Sequence, residues 1–519
     1  MSEERAKRQP DIAPLIPILN KVIAVLGVLF MAGVAVVLGL FIGKQTYAEK
    51  WPMLITLTGL ATYLAVALMD ARHALLLWIV TAPFARFVHL NVELGRGIPN
   101  LTLNRIMTGV LLILILAQFA TQRRRAARLS SLDVFLLLYC VAAMLSVPSA
   151  VLELKSAVQS FFDLIVIPIA VYFLARTLIT DRQGLRAVMY ALLVIGVYMA
   201  LLAIREQLTG DVWFYPEDRS VQYTRNIRRV VGLLGNPAFL ATCINMSVPW
   251  AWYLFLRATR RRFALLLLIG IMMAGVYFCM NRSAWVGLLI ALSVMAFLIK
   301  RFRRIFVLMV LVGAVLAVVY WAVIVSSVTV RERLQAQGPI EYRADTWNVA
   351  MRMIKDNLIF GIGYENFQFY YRRYGQWDIY LRALPTPHNT YMWVMLMGGL
   401  ITFIPFIAFL GTTALSALVL HLRARGQEEA FPDADLAATF LASMAAFWAP
   451  ALVMDVLTGY YNTMVMFLIV GAFFGAAAGE RRRMLVAGII VGAKHLGDEM
   501  SAKQYNPSQM LRPYEAGQE

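Results

Sequence analysis

Between Arg331 and Trp393 the chain reads RADTWNVAMRMIKDNLIFGIGYENF (Arg343–Phe367) and then PTPHNTYMW (Pro385–Trp393). This is one long polar stretch in a chain that is otherwise made of apolar runs. A loop of roughly sixty residues is too long for a connector, and loops of that length are either functional or disordered. Its wealth of Tyr, Trp, Phe and Arg argues against disorder. It also holds His388, one of five histidines in the chain, set between prolines and an Asn.

Outside this stretch, composition assigns the class. Of 519 residues, 60% are hydrophobic and 15% charged, with a mean hydropathy of +0.67. About fourteen apolar runs, from Val22–Ile42 to Met464–Ala478, are long enough to cross a hydrocarbon core of about 30 Å as helices. Lipid offers no partner for exposed backbone groups, so helices are the natural spanning solution. The expected fold is therefore an all-α polytopic membrane protein of 12–14 transmembrane helices. The third run, Ala74–Phe87, is short and interrupted by Pro83 and Arg86.

Basic clusters at Arg5–Arg8, Arg123–Arg128, Arg257–Arg262, Lys300–Arg304, Arg423–Arg425 and Arg481–Arg483 fall on one face when the helices alternate. Lys and Arg in short loops mark the cytoplasmic side. The net charge of +18 is thus mainly a topology signal, and nothing resembles a nucleic-acid-binding module. The expected layout is a cytoplasmic tail over 1–21, a membrane domain over 22–480 and a cytoplasmic tail over 481–519. Two outer-face excursions, 205–235 and 329–390, interrupt the membrane domain, the second as a large catalytic loop. The N-terminal run lacks a small-residue cleavage pattern and reads as an uncleaved anchor. Cys140, Cys243 and Cys279 lie inside apolar runs without metal-ligand spacing and read as small fillers.

The 205–235 excursion carries five arginines on the face where positive charge is normally sparse, among them Arg205 and Arg229. A guanidinium binds phosphate bidentately and stays charged; pairing with Glu206, Asp211, Glu217 or Asp218 is the competing account. Asn236-Pro237 then caps the next helix, placing free N–H groups at the same face. Arg282, in the short hairpin NRSAW, is a charge at a helix junction and by default a functional candidate. In the long loop, Trp347, Ala350, Met351, Ile354 and Leu358 recur at helical spacing. Tyr342–Asp356 should therefore be an amphipathic helix, broken over Asp356–Gly363, where the glycines of GIGYENF permit a tight turn. Imidazole is the side chain best suited to proton transfer near neutral pH, which singles out His388.

GNPAFLA, NRSAW, RADTWNVAMRMIKDNLIFGIGYENF and PHNTYMWVM together resemble the O-antigen ligase and polysaccharide polymerase family of bacterial membrane glycosyltransferases, over roughly Asn236 to Leu400. The resemblance implies a GT-C-like helical fold in the inner membrane, with the active site facing outward. It implies an undecaprenyl-diphosphate-linked glycan donor and a glycan or lipid acceptor, without metal, nucleotide or other cofactor. Arg282 and Arg343, with Arg229 and Arg205 as further candidates, would hold the donor diphosphate, and His388 would engage the acceptor hydroxyl. Asn389, Asp455, Asn236 and Tyr364 are possible supporting residues. The sequence departs from the family pattern at Met397–Leu400, MGGL, where an acidic residue more commonly precedes Gly-Leu. The reading from another class is a transporter or flippase of lipid-linked sugars or small solutes. That would call for ionisable residues at mid-membrane and paired broken helices, whereas polar residues here concentrate at one face.

Overall fold

The computed structural model describes residues 51–87, 91–92, 95, 99–122, 129–151, 153–213, 229–320, 338–375, 386–427 and 430–504. The N-terminal tail, the first apolar run Val22–Ile42, the basic cluster Arg123–Arg128 and most of the 205–235 excursion lie outside the described residues. The chain divides into two compact units, Met1–Thr62 with Val88–Leu90, and Tyr63–Phe87 with Asn91–Glu519. In the first, the described residues form the start of one helix. The second holds the site.

The helices are α1 (Trp51–Met69), α2 (Ala71–Thr81), α3 (Leu103–Ala120), α4 (Ser131–Ser146), α5 (Leu154–Phe161), α6 (Ile167–Leu178), α7 (Arg182–Thr209) and α8 (Pro237–Arg257). They continue as α9 (Arg262–Phe278), α10 (Arg282–Leu298), α11 (Lys300–Val319), α12 (Gly338–Asp356), α13 (Phe367–Tyr374), α14 (Thr390–Ala424), α15 (Ala434–Trp448) and α16 (Tyr460–Gln504). A π-helical turn, Phe162–Val166, joins α5 to α6. Strand is confined, among the described residues, to the two-residue pair Asn91–Val92 and Leu101–Thr102. Nine helices among the described residues are long and apolar enough to cross a membrane, with four shorter apolar helices beside them. The protein is an all-α polytopic membrane protein. Each apolar run from Pro52 onward falls on helix over most of its described residues, because run length alone carries that signal.

Close packing against α6 sets the interior. Gly471, Gly475 and Gly479, one per helical turn of α16, lie against the backbone of Tyr172, Arg176 and Thr180, where a Cβ would overlap carbonyl oxygens. Small residues at this spacing let membrane helices approach closely, since lipid gives apolar side chains no drive to associate. The charges buried there are paired: Asp133 meets Arg176 and accepts from the Tyr172 hydroxyl at 2.8 Å. By contrast α11 shows its apolar side chains almost entirely on the outside, as a helix facing lipid would.

One expectation is corrected. The buried face of α12 is Thr346, Val349, Ala350, Met353 and Ile354, while Met351 and Leu358 are exposed. The buried set packs on Phe367, Tyr371 and Leu396, so the helix is seated by its neighbours and not by its most hydrophobic stripe. The last helix, α16, stays helical to Gln504, and its apolar span ends at Met484.

The break after α12 and the MGGL departure answer each other. Gly398 and Gly399 leave helical geometry inside α14. There the backbone N–H groups of Leu400 and Ile362 donate to the carbonyls of Leu358 (2.9 Å) and Leu396 (2.7 Å). Gly361 and Gly399 sit at φ +68° and +60°, and a Cβ on either would collide with the facing backbone. Only glycine combines that φ with that approach. An acidic side chain at position 398 would also strike the Thr402 hydroxyl.

Candidate active site

The Pro-Thr-Pro-His-Asn segment turns directly into α14. Asn389 caps the helix, its side chain accepting from the N–H groups of Tyr391 and Met392 at 2.9 and 3.1 Å, as an N-cap does for otherwise orphaned donors. The same side chain donates to the Leu452 carbonyl at 2.9 Å. Thr390 donates to the Met454 carbonyl and accepts from the Val456 N–H, both at 2.9 Å. The start of α14 is thereby laced to the α15–α16 connection.

Asp455 sits at the centre of this lacing. Its two carboxylate oxygens accept from consecutive backbone N–H groups, His388 at 3.1 Å and Asn389 at 2.8 Å. The side chain is 8% exposed. His388 has φ +45°, a left-handed conformation rare outside glycine, and backbone strain of this kind gathers at functional sites. The Asp455 bridge holds that turn in place.

The imidazole is oriented from two sides. Its Nδ1 lies 3.2 Å from the Thr386 hydroxyl and 3.8 Å from Asp455, and its ring meets Tyr342 edge-on at 5.8 Å. The Thr386 hydroxyl is also hydrogen-bonded to Asp455. A hydroxyl that donates to the carboxylate accepts from Nδ1–H, leaving Nε2 as the basic nitrogen; this tautomer follows from the network. Burial, then the charge of Arg343, holds the imidazole down at about 4. It is therefore neutral at pH 7. Burial pushes Asp455 up to about 6 against the opposing pull of its hydrogen bonds and of Arg343, so the carboxylate is ionised at neutral pH.

Two guanidinium groups complete the cluster. Arg282 opens α10, where Asn281 caps the helix and Ser283 bonds to Asn281 (2.7 Å) and to the Met454 sulfur (2.9 Å). Arg343, half-buried on α12 next to Tyr342, is held below its ordinary range by burial and by the charge of Arg282, against a pull from Asp455. Its side chain makes no hydrogen bond or ion pair among the described residues. The α12 helix is anchored by the turn after it: Asn366 bonds to Val151 N–H, Ser149 O and Ile362 O within 2.7–2.8 Å.

The remaining candidates have contacts of their own. Arg205 pairs with Asp211 at 3.3 Å and lies 3.6 Å over the Trp213 ring, the competing account given above. Arg229 falls within the electrostatic reach of Cys279, together with Glu206. Glu206 itself accepts from the Val231 and Gly232 N–H groups. Asn236 caps α8 by accepting from Ala238 N–H. Tyr364 is wholly buried, edge-on to Phe161 and Trp393, a packing residue behind the site. Thr386 and Tyr342 were missed. The one signal for either was nearness in sequence to His388 or Arg343. Among the described residues, no group of three or more His, Cys, Asp or Glu is placed to hold a metal ion.

A polytopic helical membrane protein with a neutral histidine and two mutually repelling arginines at one end of its bundle is the class this geometry defines. Residues 263–407 match the family model described as O-antigen ligase, a match that supports the resemblance read from the sequence. The match supports an O-antigen ligase/polymerase-type membrane enzyme. The matched segment contains Arg282, Arg343 and His388, whereas Asp455 and the GNPAFLA segment lie outside it. No curated protein matches the chain.

Proposed function

We propose that the protein transfers or polymerises glycan from an undecaprenyl-diphosphate-linked donor to an acceptor hydroxyl at the outer face of the bacterial inner membrane. The observation that carries this reading is the electrostatic arrangement: Arg282 and Arg343 repel one another beside an imidazole kept neutral. Two guanidinium groups so placed are relieved by a dianion, and a diphosphate satisfies both through bidentate contacts. A lipid diphosphate is already a good leaving group, so charge stabilisation matters more than acid catalysis. His388 Nε2 takes the proton from the acceptor hydroxyl, whose oxygen attacks the anomeric carbon. The glycosyl–phosphate bond breaks on the opposite side, and the diphosphate leaves held by the arginines, with inversion. Thr386 and Asp455 orient the imidazole and stabilise it once protonated.

Turnover of a lipid-diphosphate oligosaccharide by the purified protein in detergent tests the proposal. Glycosidic product and released lipid diphosphate are expected; a ladder of lengths marks a polymerase and a single adduct a ligase. Absence of product, with transport recovered only in sealed vesicles, contradicts it.

A further inference from the structure

A second feature lies at the other end of α14. A cavity of about 1640 Å³ opens there, lined by residues of α7–α11, α14 and α15. It exceeds the roughly 300–1,000 Å³ of ordinary small-molecule clefts. Arg186, Arg260, Arg261 and Lys300 reach it from α7, the α8–α9 turn and the start of α11, and their side chains make no hydrogen bond or ion pair among the described residues. The carboxylates lining it there are Asp433 and Asp435. Both already pair with Arg257, at 3.0 and 3.5 Å, and Asp433 also accepts from Tyr253. A surplus of uncommitted positive charge remains. The wall continues into apolar side chains of the spanning helices, Leu193, Leu265, Leu268 and Phe297.

We propose that this cavity binds an anionic phospholipid of the adjoining leaflet, with phosphate on the four basic side chains and acyl chain along the apolar wall. Loop charge that merely follows the positive-inside bias would be scattered over the surface. Here it converges from separate helices on one concavity with a lipid-facing wall. Basic pockets between membrane helices suit doubly charged headgroups of the cardiolipin kind. A free phosphate would use the basic rim and leave the apolar wall without purpose.

The test titrates the full-length protein in detergent with cardiolipin, phosphatidylcholine and inorganic pyrophosphate, reading bound lipid by native mass spectrometry. Saturable cardiolipin binding is expected, with phosphatidylcholine at least tenfold weaker and pyrophosphate unable to displace the lipid at equal concentration. The triple variant Arg186→Gln, Arg261→Gln, Lys300→Gln should bind cardiolipin about 100-fold more weakly, each basic group contributing roughly a factor of five. Arg352→Gln, on α12, should bind normally. Unchanged binding by the triple variant, equal binding of phosphatidylcholine, or full displacement by pyrophosphate would overturn the assignment. The substituted side chains are exposed, so folding is preserved; an unaltered thermal transition without lipid checks this.

Discussion

At the N-terminal end of α14, one carboxylate holds a histidine turn by backbone hydrogen bonds beside two arginines, with His388 at φ +45°. At the C-terminal end many more cations surround a wide cavity, and several have no partner among the described residues. Some 36 Å of helix separates Leu400 from Ala424 at 1.5 Å per residue. The first end holds little charge in enforced positions, as proton transfer and diphosphate stabilisation demand. The second holds much charge loosely, which suits attraction of a mobile anion. Number of charges and precision of placement are separate properties, and only the second points to chemistry.

Substitutions that keep charge but change shape should divide the two ends most sharply. Arg282→Lys or Arg343→Lys should lower turnover about 10²-fold, in the range of losing one fixed donor to developing negative charge, because Lys lacks the bidentate fork. Lys300→Arg, at the other end, should leave turnover in detergent unchanged. Steady-state kinetics on the purified variants decides this, and equal losses at both ends would erase the distinction.

Asp455→Asn is the next largest effect. One oxygen becomes an NH₂ facing a backbone N–H, so one of the two bridging bonds is lost and the His388 turn loosens. Turnover should fall about tenfold, and thermal unfolding in detergent should show a loss of about 1–3 kcal/mol, as for a buried donor left unpaired. Full activity in this variant would mean that the strained turn holds without its bridge.

Stability against pH sharpens the same point. His388 is lowered to about 4, so its contribution is complete above its ordinary 6.5 and lost as pH falls through 4. Asp455 is raised to about 6, so its contribution is complete below its ordinary 3.8 and lost as pH rises through 6. The two oppose each other between about pH 4 and 6. Relative to wild type at each pH, Asp455→Asn should therefore lose stability as pH falls from about 6 to 4. An identical pH profile for the two proteins would show that the pair is not coupled to folding. The smallest effect is Arg205→Gln, expected to change turnover less than twofold, because Arg205 is committed to Asp211 and Trp213.

The membrane helices were legible because a spanning run is a property of length and apolarity. His388, Arg282 and Arg343 were legible because polar residues at the ends of apolar runs stand out. The Asp455 bridge was not, since its hydrogen bonds link residues 66 and 67 positions apart in sequence and depend on how α14 meets the α15–α16 connection. Nor was the seating of α12, where Met351 and Leu358 match the helical stripe yet lie exposed. Periodicity reports which face is apolar, whereas neighbours decide which face is covered. For Arg205 the sequence leaves both a ligand and nearby partners open, and the structure shows it beside Asp211 and Trp213.

The most direct measurement compares turnover and donor binding in purified His388→Ala. Loss of a positioned base typically costs about 10²–10⁴-fold in rate, and the account predicts a fall of that size with donor affinity retained, because the arginines carry the diphosphate. Normal turnover per folded molecule would contradict the account, whatever the family match.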